Sequence, residues 1–545
     1  MTIAFLISLV FIPMLRPFNN LLYTQDSFNF FFFPFSNTNN PFISFYSHGG
    51  LLTSYYNASS LFLQLFFYAF EVVGINLEIA ERIFIILTIS ISNFGLVLMF
   101  RSQINSRKCR VKIAEIIGIL IYWVNPFTIS VTYWHYLTWF LFQAIIPYIF
   151  YIILQIDRGD FFTKSTFVSL LVVFSYSTVF YGSYAGVLII ITIFAAFYFL
   201  TYSIYYKDLK TFTKKITLLV ISTSIELYFA ISLLLLYSST GNLTINNITG
   251  GANSYASLIS LMKANSFSTS PLRVLTLTAF GYLQSLPIVF AWHQIIYYIL
   301  IGSIFVPILF VSSSMLSFKT SNYIIFLLSI SVIFIIFSIG YNFPFSGFNL
   351  MLLKIGGPFL ILTNAFYFTI QVYILTLSFV TFIVLSSELS SKNYLKMKKF
   401  ASDNYFSVKH KTPRMNTFRR NLRFKKVLYL VVIFGAAGVL VTSSFPVLVY
   451  GEYESIGPME SSFKLPSDFQ ELRSFFENNF TSPEYYTLIL PLSRVNAVYM
   501  KIGNGTFPDP SNLFQSYIPY PVIDWAQTNT SICIDNKLTE LPTII

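Results

Sequence analysis

Charge is scarce in this sequence. Asp, Glu, Lys and Arg make up 10% of its 545 residues, against about 25% in an ordinary soluble protein. Histidine occurs 4 times and cysteine twice. So few cysteines exclude a disulfide-built scaffold and leave no C-x-x-C pair. The phosphate-cradling G-x-x-x-x-G-K-[ST] loop is missing, as are a G-x-G-x-x-G turn after a strand and the H-E-x-x-H zinc helix. Nucleotide and metalloprotease chemistry of the soluble type is therefore excluded.

What replaces charge is apolar surface: 55% of the residues are hydrophobic and 19% aromatic. A helix crosses the hydrocarbon core with about 20 apolar residues, and the chain offers about eleven such segments separated by short polar joints. The fold class expected is an all-α polytopic membrane protein with a small extracytoplasmic α+β segment at the C-terminus. The net charge of +12 does not indicate nucleic acid, because the cations gather in the joints, where the positive-inside rule accounts for them.

The first apolar segment, Thr2 to Leu15, lacks a basic n-region and a small-x-small cleavage site, and is read as a retained first helix. The polar loop Arg16 to Ser59 follows, containing RPFNNLLYTQDSFNFFFFPF. Next comes SLFLQLFFYAFEVV, in which Ser60, Gln64, Tyr68 and Glu71 recur at helical spacing. Read as a span, it would place the joint with Arg101, Arg107, Lys108, Arg110 and Lys112 outside; read as a helix lying in the outer interface, it puts those cations inside. The second reading is adopted. The remaining spans are then expected at Ile83 to Phe100, Ile113 to Val131, Leu137 to Gln155, Phe167 to Tyr181, Tyr184 to Tyr206, Ile216 to Tyr237, Tyr297 to Leu316, Asn322 to Gly340, Tyr367 to Ser387 and Val427 to Val449. Inner joints collect Lys207, Lys210, Lys214, Lys215, Lys319 and the basic run 388–426, which can also meet anionic lipid heads.

This arrangement makes 1–449 a multi-pass membrane domain, with 16–82 as its first outer loop, and 450–545 an extracytoplasmic tail. The N-terminus is expected in the cytoplasm and the C-terminus outside the cell membrane. The tail carries a helix start at Ser467 and a β-like run Tyr485 to Pro491, and its last residues read like the middle of a domain. Cys109 and Cys533 fall on opposite sides, so no intrachain disulfide is expected. Six Asn-x-Ser/Thr sequons begin at Asn57, Asn242, Asn247, Asn479, Asn504 and Asn529. All lie outside, which supports the topology without fixing it, because outer segments hold about three-quarters of the non-membrane residues.

Ionisable groups at the outer face are few, and each charge kept near hydrocarbon is costly. Asp26 is the sole acid of its long aromatic loop and is either a solvated loop residue or a base. Glu78, Glu81 and Arg82 stand at the start of a span, where capping of the helix explains them first. His135 in TYWHYL and His293 in AWHQ adjoin tryptophans, as aromatic-belt residues do, and are secondarily ligands for phosphate or sugar. Lys354, in MLLKIGGPF, either snorkels or neutralises a phosphate; Arg273 and Lys263 have similar standing. Glu71, on the interfacial helix, completes the substrate-contact candidates.

The order of first span, outer loop with an acid, interfacial helix, then ERIFIILTISISNFGLVLMFR, a basic joint and IIGILIYWVNPFTIS resembles the GT-C superfamily of polyprenyl-phosphate-dependent glycosyltransferases. It looks most like the membrane region of the α-(1→3)-arabinofuranosyltransferase-type proteins. Further on, NLMLLKIGGPFLILTNAFYF is similar to a late outer loop of those proteins, and KLPSDFQELRSFFENN with YYTLILPLS to the start of their external part. The resemblance spans most of the chain through segment order rather than an invariant string. Asp26 belongs to no D-x-D pair, and the large external sugar-binding region is absent or cut off.

The resemblance implies transfer of a sugar from a polyprenyl-phosphate donor at the outer leaflet to a glycan, glycolipid or glycoprotein acceptor. Inversion is implied, with Asp26 as general base and Lys354, Arg273 and His293 facing the leaving phosphate. Tyr23, Phe28, Phe30 and Tyr46 either stack on a sugar or pack the loop on the membrane. No cofactor is required; a divalent Mg or Mn can accompany the phosphate, although one Asp is weak coordination. The competing readings are a transporter or flippase of a lipid-linked or small solute, for which no internal repeat is visible, and a non-catalytic scaffold of cell-surface assembly.

Overall fold

The computed structural model describes residues 46–48, 51–53, most of 65–125, 137–176, 183–227, 255–266 and 322–355, short strands between 487 and 523, and isolated positions elsewhere. Its helices are α1 (Leu77–Gln103), α2 (Cys109–Trp123), α3 (Leu137–Arg158), α4 (Lys164–Ser175), α5 (Ser183–Tyr206), α6 (Leu209–Glu226), α7 (Tyr255–Asn265), α8 (Asn322–Ile339) and α9 (Ser346–Ile355). Among the described residues three helical stretches are long and apolar enough to cross a membrane: Glu78–Gln103, Phe140–Arg158 and Val187–Ile204. The described part is thus mostly helical, as expected for an all-α membrane protein. Strands of two or three residues pair Tyr46–His48 with Leu51–Thr53 and Met500–Ile502 with Gly505–Phe507, both antiparallel, and Thr487–Leu488 with Val522–Ile523 in parallel.

Helix ends follow local chemistry. Asp208 caps α6 by accepting from the Thr211 amide at 3.0 Å, and Thr163 caps α4 by accepting from the Thr166 amide at 3.3 Å. Gly159 (φ 83°) ends α3 and Gly340 (φ 62°) ends α8, both in the left-handed region that a side chain disfavours. These signals move boundaries away from those that hydropathy alone suggests. Instead of starting at Ile216, the helix starts at Leu209, because the Asp208 cap lies on the polar side of the joint. α4 ends at Ser175, before Tyr181, and α3 runs on to Arg158.

The hub is α3: 94% of its spanning window is buried, against 56% for α1 and 39% for α5. Two devices let a helix be this central. Gly95 of α1 faces the Tyr148 ring, where an added Cβ would stand 2.7 Å from Cε2, so the small residue sets how closely α1 and α3 approach. The Tyr148 hydroxyl then donates to the Ile91 carbonyl. The second device repairs Pro147, which has no N–H for the carbonyl one turn back, that of Gln143. The Tyr122 hydroxyl, from the end of α2, donates to that carbonyl.

Contacts also fix the direction of each helix. Tyr122 and Trp123 at the end of α2 meet Gln143 and Phe140 near the start of α3. Asp157 at the end of α3 meets Lys215 near the start of α6 and Tyr198 late in α5. Phe326, early in α8, stacks near Phe150 and Tyr198, with ring centres 6.1 and 5.2 Å apart. The ends of α1, α3 and α5 and the starts of α2, α4, α6 and α8 therefore share one end of the bundle. Arg101, Lys112, Arg158, Lys164, Lys210 and Lys214 are exposed there. At the opposite end lie the start of α1 and the α8–α9 turn.

Candidate functional site

Three polar constellations stand out in this apolar bundle. The first opens α1 at the end away from the exposed cations. Glu81 and Arg82 were expected to cap the helix and meet the interface, but both are buried, at 0% and 5% exposure. The Arg82 guanidinium donates to Glu81 and, at 3.2 Å, to the Glu78 carbonyl. Neighbouring rings of Phe66, Phe67, Phe70 and Phe84 screen this end of α1. An ion pair inside a bundle is costly to desolvate, and mutual compensation offsets part of that cost. The pair places both a cation and a carboxylate inside the helical bundle, in the first turns of α1.

The second constellation is a polar seam between α1, α2, α3 and α4. Trp123 Nε1 donates to Asn93 at 2.9 Å, Gln143 Nε2 donates to the Tyr122 carbonyl at 2.7 Å, and the Thr88 and Tyr176 hydroxyls lie 3.2 Å apart. Such bonds hold helices together where no hydrophobic difference drives association.

A third group sits at the cationic end. Lys215 Nζ is 2.7 Å from Asp157 Oδ1, Tyr198 donates to Oδ2 at 3.1 Å, and the ammonium lies 4.9 Å from the Tyr202 ring centre and 5.3 Å from that of Phe199. Read from the sequence, Lys215 is one more joint cation. In the structure it is buried, tying α3, α5 and α6. Nothing local marks it, because its partner lies 58 positions away.

Of the substrate-contact candidates, Lys354 is described: it is exposed in the last turn of α9. The same end of the bundle carries Lys263 on α7, whose ammonium is 5.9 Å from the Tyr341 ring centre. The two helices are joined by Tyr255 OH to the Leu350 carbonyl at 3.1 Å and by Asn342 Nδ2 to the Ser266 carbonyl at 2.6 Å. The structure therefore assembles two of the cations expected at the outer face on one platform. Asp26, Glu71, His135, Arg273, His293 and the sequon residues Asn57, Asn242, Asn247, Asn479, Asn504 and Asn529 lie outside the described residues. Among the described residues no three His, Cys, Asp or Glu side chains cluster as metal ligands would; Asp26, a weak ligand on its own, lies outside them.

Fold and composition define a helical protein of the membrane. No protein-family model matches the sequence, and no curated protein does. Among solved structures the chain is similar to a cryo-EM structure of a mutant arabinofuranosyltransferase AftD from mycobacteria, at 11% identity and a TM-score of 0.44. The match covers 96% of this chain and 33% of that one, so the chain spans about a third of the length of the protein it resembles.

Proposed function

We propose that the chain is a membrane glycosyltransferase that moves a sugar from a polyprenyl-phosphate donor to a cell-surface glycan, glycolipid or glycoprotein on the outer face. The observation that carries this reading is the order of segments in the sequence: an acidic outer loop, an interfacial helix, ERIFIILTISISNFGLVLMFR, a basic joint and IIGILIYWVNPFTIS. Supporting it, the helix made by ERIFIILTISISNFGLVLMFR opens on a buried Glu81–Arg82 pair, where a plain lipid-facing span would carry neither charge.

In this reading the acceptor hydroxyl attacks the anomeric carbon. The new C–O bond forms as the bond to the phosphate oxygen breaks, the configuration inverts, and polyprenyl phosphate departs. A hydroxyl is a poor nucleophile at neutral pH, so the proton passes to a base, and Asp26 takes that role, worth about 10²–10⁴-fold in rate. The departing phosphate needs donors aimed at its oxygens; Lys354, Arg273 and His293 are assigned to it, with His135 and Glu71 contacting substrate. The prenyl tail needs only a greasy groove between helices. If a divalent ion took part, Asp26 would be the residue to hold it, and the ion would supply charge neutralisation at the donor phosphate.

The deciding experiment is Asp26→Asn in the full chain, assayed with a polyprenyl-phosphate sugar. Transfer is expected to fall by about 10²–10⁴-fold while thermal unfolding is unchanged. Equal activity of the two proteins sinks the assignment of the base. Absence of transfer in the wild type, with retained solute or lipid movement, would instead favour a transporter or flippase, and absence of both a scaffold.

A further inference from the structure

A second surface at the end of α8 is fitted to the bilayer itself. α9 is ten residues long, about 15 Å at 1.5 Å per residue. That is half the roughly 30 Å of a hydrocarbon core, so it cannot cross. It is instead folded back onto the end of α8. Gly340 reverses the chain, and Asn349 Nδ2 donates to the Ile336 and Gly340 carbonyls at 2.9 and 2.8 Å, two acceptors that the end of α8 leaves without helical partners. Tyr341 N donates to Ser266 Oγ at 2.9 Å, and Tyr255 reaches the Leu350 carbonyl, so α7 braces α9 from the side. The depth of α9 is therefore the depth at which the apolar helix α8 ends, which the expected span Asn322 to Gly340 sets at the membrane border.

The protein-facing side of α9 is made by Asn349, Leu352 and Leu353, all buried. A second face is also apolar and is not covered: Phe348, Met351 and Ile355 are exposed at 45%, 53% and 66%, and Phe343 of the preceding turn at 85%. Positions 348, 351 and 355 follow the i, i+3, i+7 spacing of one stripe on a helix. Lys354 is exposed along the edge of that stripe. Water is a poor solvent for such a face. A leaflet suits it, because acyl chains take the stripe while the lysine stem lets its ammonium rise to the lipid phosphates.

We infer that α9 is an interfacial anchor whose Phe348, Met351 and Ile355 side chains insert into the adjoining leaflet, with Lys354 at the level of the lipid phosphates. The inference does not depend on the proposed transferase activity. It also gives Lys354 a fixed depth, the one at which any lipid-borne phosphate diffuses.

The test uses the full chain with Cys109→Ser and Cys533→Ser, one copy per phosphatidylcholine nanodisc, and single substitutions Met351→Cys and Ile355→Cys carrying an environment-sensitive fluorophore. Expected are blue-shifted emission, loss of most of it when the acyl chains are brominated near the head group, and no response to aqueous iodide. Quenching by iodide without an effect of bromolipid means the face meets water and overturns the inference. Blue-shifted emission insensitive to both quenchers means that protein covers the face, which overturns it equally. Both substitutions replace exposed residues, and circular dichroism and thermal unfolding of the labelled proteins confirm that each reading comes from folded chain.

Discussion

Lys215 shows how much a single side chain can carry when it leaves water. Its ammonium, 7% exposed, faces Asp157, 16% exposed, with two aromatic rings around it. Removing one partner of a buried pair costs about 3–5 kcal/mol, because the other charge is stranded. The residual exposure of Asp157 places Lys215→Met at the low end of that range. Asp157→Asn should cost a similar amount, and the double variant much less than the sum; thermal unfolding in detergent measures all three. Strict additivity would show that the two residues are independent. Asp208 behaves differently because it is exposed. The Thr211 hydroxyl and amide donate to its carboxylate and hold its pKa below the ordinary aspartate value. A depressed folded pKa means that the stabilisation is present above the usual value of about 3.9 and is lost as pH falls through the lower, folded value. Asp208→Asn keeps a capping side chain without the titration. Its melting temperature should fall less steeply than the wild type's on the acid side of pH 4, roughly the ordinary aspartate range; identical acid slopes would remove Asp208 from the account.

At the scale of elements, α3 is central although it contains a proline, and the Tyr122 hydroxyl compensates. If that hydroxyl serves the carbonyl of Gln143 that Pro147 leaves without a helical donor, Tyr122→Phe should cost about 1–3 kcal/mol, the penalty of an unmade buried hydrogen bond. In a Pro147→Ala background the backbone N–H returns to the carbonyl, so the same Tyr122→Phe change should cost clearly less. A double-mutant cycle on unfolding free energy reads the difference, and equal costs in both backgrounds would break the link. Elements were also where hydropathy succeeded and failed by turns. The starts and ends of α5 and α8 agree with sequence expectation to within a residue, because each is an apolar run bounded by polar joints. The start of α6 does not, since Lys210, Lys214 and Lys215 look like a joint although Asp208 has already begun the helix. Burial of Glu81, Arg82 and Lys215 was illegible for a related reason. Sequence shows a charge at a span's end, while its partners come from helices packed beside it. Of the candidate site, the sequence showed Lys354 as a cation beside a Gly-Gly turn, and the structure shows it exposed in the last turn of α9; its apolar neighbours became informative only once their exposure was known.

For the whole molecule, the packing divides charge between the two ends of the bundle more firmly than the joints alone do. Arg101, Lys112, Arg158, Lys164, Lys210 and Lys214 are exposed at one end. The other end holds the buried Glu81–Arg82 pair and the α7–α9 platform. The positive-inside rule counts cations in short loops near span ends, and on that count the first end is expected to face the cytoplasm. The orientation matters for the proposed chemistry, which needs Lys263 and Lys354 on the outer face, where a lipid-linked donor would be used. It can be measured directly in chains carrying Cys109→Ser and Cys533→Ser. The single substitution Asn76→Cys, at an exposed position of the second end, should react with a membrane-impermeant maleimide in intact cells. Asp160→Cys, exposed in the turn between α3 and α4, should react only after permeabilisation. The reverse pattern would turn the bundle over, place Lys354 and the Asp26 loop in the cytoplasm, and remove the ground for an outer-face transferase, whereas the fit of α9 to a leaflet would survive on the other side.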